Sequence, residues 1–340
     1  MNQDAKPQPL QGLRVIEMAA IGPVPHLGTL LSNLGAEVTV LSKPAPGRYD
    51  FLHSHYAQGK RHIAVDLKSA AGVEKVVDLL PSAEVLIEGL RPGVMERLGL
   101  GPEVCLAANP ALIYARVTGY GQHGPLATRA GHDINYIAHS GALHAFRRGA
   151  EQPVPPLNVV GDFAGGSMHG AISILAALYG LKAGLPVAQV LDIAMVDGAA
   201  ALLTMSDNFA TVLGPEALDP LANAPFYAVY ECAEPGEYIA VGAVEPQFFN
   251  ELLRATGIEF PAASQNDQSR WPELQQKLAE VFRSKSRSAW AEIGRTTDSC
   301  ISAVLSLAES TNDAQMQSRL DKQRRFGPVG GALHPTLYHE

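Results

Sequence analysis

The first half of the chain alternates short apolar runs with longer stretches of helical spacing. Residues 13–17, 37–41, 63–67, 85–88 and 113–117 are rich in Val, Ile and Leu and read as strands. Between them, 25–34, 71–80 and 93–98 carry the spacing of amphipathic helices, the last with Pro92 near its start. Strands separated by helices predict an α/β domain with a parallel, doubly wound sheet and ligand binding at the carboxyl ends of its strands. Further on, 163–181 reads as a strong helix capped by Asp162, 187–193 as a strand, and 195–212 as a helix leading away from the sheet. A linker is expected over 219–225. After it come a hairpin over 226–231 and 238–241, turning at Pro235-Gly236, and helices over 246–256, 271–282 and 288–294. The resulting division is a large domain at 1–195, a helical linker at 196–225, a smaller α+β domain at 226–318 and a tail at 319–340.

Composition narrows the class. A length of 340 residues suits two domains, and 46% hydrophobic against 18% charged residues supplies ample core. A net charge of -8 argues against nucleic acid, since phosphate backbones call for a basic surface. Cys105, Cys232 and Cys300 are odd in number and far apart, which fits neither a disulfide scaffold nor a zinc site and points to a reducing compartment. The first residues lack the basic and apolar regions of a secretory leader, and the last four are not a peroxisomal address. No apolar run of roughly 18 residues suggests a membrane span. The expectation is a cytoplasmic protein without a membrane partner. After the first strand, Gly22-Pro23-Val24-Pro25 spoils a dinucleotide-binding glycine turn, so nicotinamide and flavin chemistry is disfavoured.

Two stretches carry the chemistry. One is Gly131-His132-Asp133-Ile134-Asn135-Tyr136; the other, after a proline-rich loop, is Gly161-Asp162-Phe163-Ala164-Gly165-Gly166. Each puts a titratable side chain at a helix start. A His and an Asp meeting across a small substrate can take a proton from one face and return it on the other, with neither metal nor redox cofactor. Plainer roles compete: His132 as a satisfied polar residue, and Asp162 as an N-cap worth about 1 kcal/mol. Asp133 reads as a helix-start or orienting group rather than a reagent. Glu245 is a first-turn acid that could also orient an imidazole. Lys60, Arg61, Lys68, Arg91 and Arg97 form a basic set near strand ends that suits phosphates. His53 and His55 are the close His pair, but no further ligands accompany them, so no metal site is expected.

Longer stretches make the reading specific. GLRVIEMAAIGPVP, GKRHIAVDLK, LIEGLRPGVMERLGLGPE, NPALIYARVTGYGQHGP, AGHDINYIAHSG, PPLNVVGDFAGG, APFYAVYE and VGAVEPQFFNELL together resemble the alpha-methylacyl-CoA racemases of the family III CoA-transferase superfamily. The resemblance implies an interlocked homodimer in which a large doubly wound domain and a smaller α+β domain are joined by linkers. It implies a 2-methylacyl-CoA substrate and no cofactor, coenzyme A being part of the substrate. His132, assisted by Glu245, would be one base and Asp162 the other. Val65, Asp66, Leu67 and Lys68 would line the adenine end of coenzyme A. Arg91 and Arg97 would lie near its phosphates, and Gly131, Asp133, Ile134, Asn135 and Tyr136 would border the thioester. In the interlocked dimer, Glu245 would serve His132 of the other chain.

Three places depart from the family pattern. Lys43-Pro44 stands where Arg-Pro is usual, replacing a bidentate fork with a point charge. Residues 182–189 replace a Thr-Gly-x-Gly-Gln turn, and the stretch after Pro335 is shorter, which would trim the return crossover. The expected reaction is two-base epimerisation through an enolate, with the Asp162 amide as the oxyanion donor. The alternatives are an acyl-CoA transferase with Asp162 as nucleophile and a silent acyl-CoA binder.

Overall fold

The computed structural model describes residues 8–44, 56–148, 151–186, 189–214 and 221–322. The chain forms two compact units. The first takes in the residues up to Ala145 together with Val154–Thr204; the second takes in Phe146–Pro153 and Met205–Leu320.

Six parallel strands build the first unit: β1 (Arg14–Met18), β2 (Glu37–Ser42), β3 (Arg61–Ala64), β4 (Val85–Glu88), β5 (Ile113–Thr118) and β6 (Val190–Ala194). Their order is β3-β2-β1-β4-β5-β6, which reverses direction between β1 and β4. That reversal opens a crevice at the carboxyl ends, where such sheets bind ligands. β4 and β5 are buried at every position, so they read as unbroken apolar runs rather than alternating ones. Helix α1 (Pro23–Asn33) covers one face, setting Leu27 and Leu31 against Val15, Val85 and Ile113. The opposite face is filled from α2 (Ala70–Leu79), α3 (Val94–Arg97) and α4 (Pro102–Ala108), with Val76, Met95 and Cys105 packed on Ile16, Leu86 and Tyr114.

β3 lies two residues earlier than the apolar run at 63–67. It is an edge strand paired only with β2, and one open side lets it hold the exposed Arg61 and His62. Val65 closes the ladder by donating to Ser42 O, and the chain then turns as Asp66 Oδ1 accepts the Lys68 amide at 3.0 Å.

The largest departure concerns the helix expected at 163–181. Helix α5 (Asp133–Ser140) and α6 (Ala142–Ala145) come first, as a pair. The chain then enters a wide π-helical segment, Val159–Met168, that runs directly into α7 (His169–Lys182). Asp162 is therefore the fourth residue of the π segment and not a cap. The cause is close backbone packing. A Cβ on Gly165 would stand 2.7 Å from Met195 O, and one on Gly198 would stand 2.1 Å from Gly165 O. Side-chain-free positions let the segment lie flat on α8 (Met195–Ala201), a contact that a regular helical register with larger residues would block. The helix expected over 195–212 is likewise two pieces, α8 and α9 (Thr204–Leu213), broken at 202–203.

Val159–Lys182 is long and apolar enough by length and composition alone to cross a membrane. Its Ile174 and Ala177 nevertheless sit in the sheet core beside Ile193.

The second unit has an antiparallel sheet of β7 (Tyr227–Glu231), β8 (Tyr238–Gly242) and β9 (Ile301–Ala303) in that order. α10 (Pro246–Thr256), α11 (Trp271–Phe282) and α12 (Arg287–Thr296) bury Phe249, Leu274, Phe282 and Trp290 against Phe226 and Tyr230. Gly236 takes the positive φ of 82° that the β7–β8 turn requires. β9 has three residues, too few for a period to register in sequence.

Candidate active site

The start of α5 and the π segment meet through backbone and side-chain contacts. His132 is the N-cap of α5, in an extended conformation. Its amide donates to Asn135 Oδ1 at 3.0 Å and its carbonyl accepts the Asn135 amide at 2.8 Å, so the imidazole is held on a defined stem and remains exposed. The next side chain turns inward. Asp133 is 3% exposed, and its Oδ2 accepts the amide of Asp162 at 2.8 Å. Gly161 permits this approach, since a Cβ there would lie 2.9 Å from that same oxygen.

The Asp162 carboxylate is half-buried. Asn158 Nδ2 donates to its Oδ2 at 3.2 Å, and a Cβ on Gly22, in the loop after β1, would come within 3.4 Å of that atom. The carboxylate thus stands beside the carboxyl end of β1. Burial pushes its pKa up; the Asn158 hydrogen bond pulls it down, the charge of Asp133 pushes it up again, and His132 pulls it down.

The Asp162 amide, expected as the oxyanion donor, is already committed to Asp133 and is not that donor. The first amides of α5 are those of Asp133 and Ile134. They precede its first internal hydrogen bonds, which run from Asn135 and Tyr136 to His132 O.

Tyr136 is buried and donates its hydroxyl to Gly131 O at 2.5 Å. Its ring lies against Gly119, where a Cβ would be 2.1 Å from the ring, and meets Tyr120 edge-on at 5.1 Å between centroids. Burial first, and the Asp162 charge second, push this hydroxyl up to about 12, so it stays a donor; Arg91 opposes the rise. Lys43, Lys68, Arg91 and Arg97 are all exposed, as are Ile134 and Asn135; Val65 is buried, Asp66 exposed and Leu67 half-buried.

Lys60 leaves the basic set. Its ammonium is wholly buried and donates to Glu17 Oε2 at 2.6 Å and to Pro25 O at 2.8 Å. Burial pushes Glu17 up to about 7 and Lys60 down, each resisted by the partner's charge. The segment after β4 that carries Arg91 and leads into α3 with Arg97 is fixed by a second, partly buried cluster. Arg116 donates to Glu88 Oε1 and to Glu96 Oε1, both at 2.8 Å, and Glu88 Oε2 takes the Leu90 amide at 2.7 Å.

In the second unit, Glu245 is the exposed N-cap of α10, with Pro246 at its first position and no side-chain capping hydrogen bond. His53 and His55 lie outside the described residues. Among the described residues no group of three or more His, Cys, Asp or Glu side chains is placed to hold a metal ion. The sequence reading missed Asn158, although its spacing of four from Asp162 within one helical segment is a usable signal. It also missed Arg116, Glu88 and Glu96, whose contacts join distant stretches.

The chain is similar to known proteins over most of its length. Residues 10–334 match CoA-transferase family III. The chain is 40% identical to the mouse (Mus musculus) alpha-methylacyl-CoA racemase over 318 residues, 91% of this chain and 81% of that protein. It is also 40% identical to the human (Homo sapiens) alpha-methylacyl-CoA racemase over 307 residues, 88% of this chain and 78% of that protein. Among solved structures, a hypothetical protein from Mycobacterium tuberculosis superposes with a TM-score of 0.78 at 25% identity, covering 98% of this chain and 93% of that one. A match of this extent, over both units and every stretch that builds the site, means that the chain belongs to CoA-transferase family III.

Proposed function

We propose that the protein interconverts the (R) and (S) forms of 2-methylacyl-CoA thioesters by two-base proton transfer. The observation that carries this reading is the hydrogen bond from the Asp162 amide to the residue after His132, with the Asp162 carboxylate beside Gly22 in the loop after β1. The mouse and human racemases among its relatives support it. One base removes the α-proton, the electrons pass to the thioester oxygen as an enolate, and the opposite acid returns a proton to the other face. A carboxyl raised by burial, such as Asp162, is the better matched to this exchange near neutral pH. The α-carbon is far less acidic than either base, so the enolate oxygen needs donors; those of α5, from Asp133 and Ile134, take this role. A single donor of this kind is worth about 10²–10³ in kcat.

No cofactor enters the proposal. Coenzyme A is held as part of the substrate, with Lys43, Arg91 and Arg97 toward its phosphates and Val65, Asp66, Leu67 and Lys68 toward its adenine. Gly131, Asn135 and Tyr136 border the thioester, and in the proposed homodimer Glu245 serves the His132 imidazole of the other chain. Asp133 contributes its backbone there, since its side chain is buried. A homodimer and a cytoplasmic location complete the reading, the latter supported by three free cysteines.

The test is incubation with a chiral 2-methylacyl-CoA in D₂O. The expected result is deuterium at the α-carbon and loss of optical activity, unchanged by a chelator. The transferase alternative shares the family and the Asp162 carboxylate. It requires an acyl-aspartyl anhydride, which hydroxylamine or borohydride would trap on Asp162. A trapped adduct formed at the rate of turnover would replace the racemase reading with the transferase one.

A further inference from the structure

Asp133 differs from the other buried carboxylates of its unit. Glu17 is 2% exposed and paired with Lys60; Glu88 is 0% exposed and paired with Arg116. Asp133 is as deeply buried, yet no cation pairs with it among the described residues, and its Oδ1 has no hydrogen-bond partner. Its single hydrogen bond goes to the amide of Asp162, 29 residues away. A buried charge left half-satisfied destabilises a fold. A neutral acceptor would hold one amide equally well, so the charge has a use that the hydrogen bond alone does not account for.

We infer that Asp133 is a positioning residue for the proposed racemisation: it ties the backbone of Asp162 to the helix start that carries His132, fixing the spacing of the two bases. Each end of the tie is rigid. His132 and Asp133 are consecutive, and His132 is locked to Asn135 through both backbone groups. Gly161 lies flat on Asp133, so Asp162 has little freedom to move away. Reacting groups misplaced by about 1 Å lose about 10²-fold in rate.

The uncompensated charge explains the choice of a carboxylate. Several groups face Asp162. Asp133, His132 and Tyr136 come from α5, Asn158 from its own segment, and the Gly22 main chain from the loop before α1. His26 of α1 stacks edge-on against the neighbouring Phe163 at 4.9 Å, and Arg91 acts on Tyr136. Of the charged groups, Asp133 pushes the Asp162 carboxyl upward together with burial, and His132 pulls it down.

This inference rests on the racemase reading, and the test separates the two. Asp133→Asn keeps an oxygen for the Asp162 amide and removes the charge. Its kcat against pH should shift toward lower pH on the limb set by Asp162. Asp133→Ala removes the tie and should lower kcat by about 10²-fold at unchanged KM. Gly161→Ala, which forces a Cβ onto the Asp133 carboxylate, should act in the same way and stands in if Asp133→Ala does not fold. Amide hydrogen exchange across 159–168 should quicken in both tie-breaking variants.

A folded Asp133→Ala or Gly161→Ala with wild-type kcat and exchange overturns the inference. An Asp133→Asn profile superimposable on the wild type overturns its electrostatic part. If the wild-type protein exchanges no α-proton, the racemase reading fails, and hydrogen exchange alone then decides whether the tie exists.

Discussion

At the residue scale, the site places an exposed imidazole and a half-buried carboxyl on separate stems, and each is expected to face one side of the α-carbon. His132→Ala and Asp162→Ala should each abolish racemisation. Each variant should still exchange the α-proton of one enantiomer, because one base survives on one face. Deuterium incorporation measured separately for the (R) and (S) thioesters checks this, and unchanged racemisation in either variant would remove that residue from the reaction. The sign of the pH dependence follows from the environment. Burial raises the Asp162 carboxyl from its ordinary value, so the limb of the profile governed by Asp162 should lie at higher pH than for a free aspartate.

The two proposed bases stand out in sequence because each is embedded in a local motif. The tie between them does not. It joins Asp133 to a backbone amide 29 residues on, and no periodicity encodes a contact of that kind. The same holds for Lys60, whose neighbours Gly59 and Arg61 suggest a surface cation while its ammonium is enclosed by Glu17 and Pro25.

At the element scale, the strands most readable in sequence were those buried on both faces. Val85–Glu88 falls where the apolar run places it, and Ile113–Thr118 exceeds its run by a single residue. Edge strand β3 was displaced because solvent on one side relaxes the demand for apolar residues. The π segment was invisible for a different reason. Helical patterns are read at 3.6 residues per turn, and its wider turns arise from glycines that admit the backbone of α8.

The Lys60–Glu17 pair holds three elements together, joining the end of β1, the first turn of α1 and the residue before β3. Lys60→Met should destabilise the first unit by about 3–5 kcal/mol, because it strands a buried carboxylate. Adding Glu17→Leu should recover much of that loss; urea unfolding of the single and double variants measures it. The Arg116 clusters act on a loop in the same way. With the loop held by Glu88 and Glu96, Arg91→Ala should raise KM for acyl-CoA and leave kcat nearly intact, the pattern of lost uniform binding. A collapse of kcat at constant KM would contradict a phosphate role for Arg91.

At the scale of the whole molecule, the first unit leaves apolar side chains uncovered along the one helix that also carries Asp162. Met168, Ile172 and Tyr179 are 53%, 67% and 72% exposed, and their spacing of four and seven residues puts them on one side. Single exposed apolar residues are ordinary, but a row along a helix whose other side is in the core is the mark of an association surface. The proposed homodimer gives this row a cover. A second copy would also brace the helix that presents Asp162, so assembly and catalysis should fail together. Ile172→Glu places a charge in the middle of the row. In sedimentation the wild type should run as a dimer, and this variant should shift to the monomer at micromolar concentration with intact circular dichroism. Its racemase activity should fall and return in part at higher protein concentration, as mass action requires. A wild-type protein that is monomeric and fully active would refute the dimer, and would leave the row at Met168, Ile172 and Tyr179 without its proposed cover.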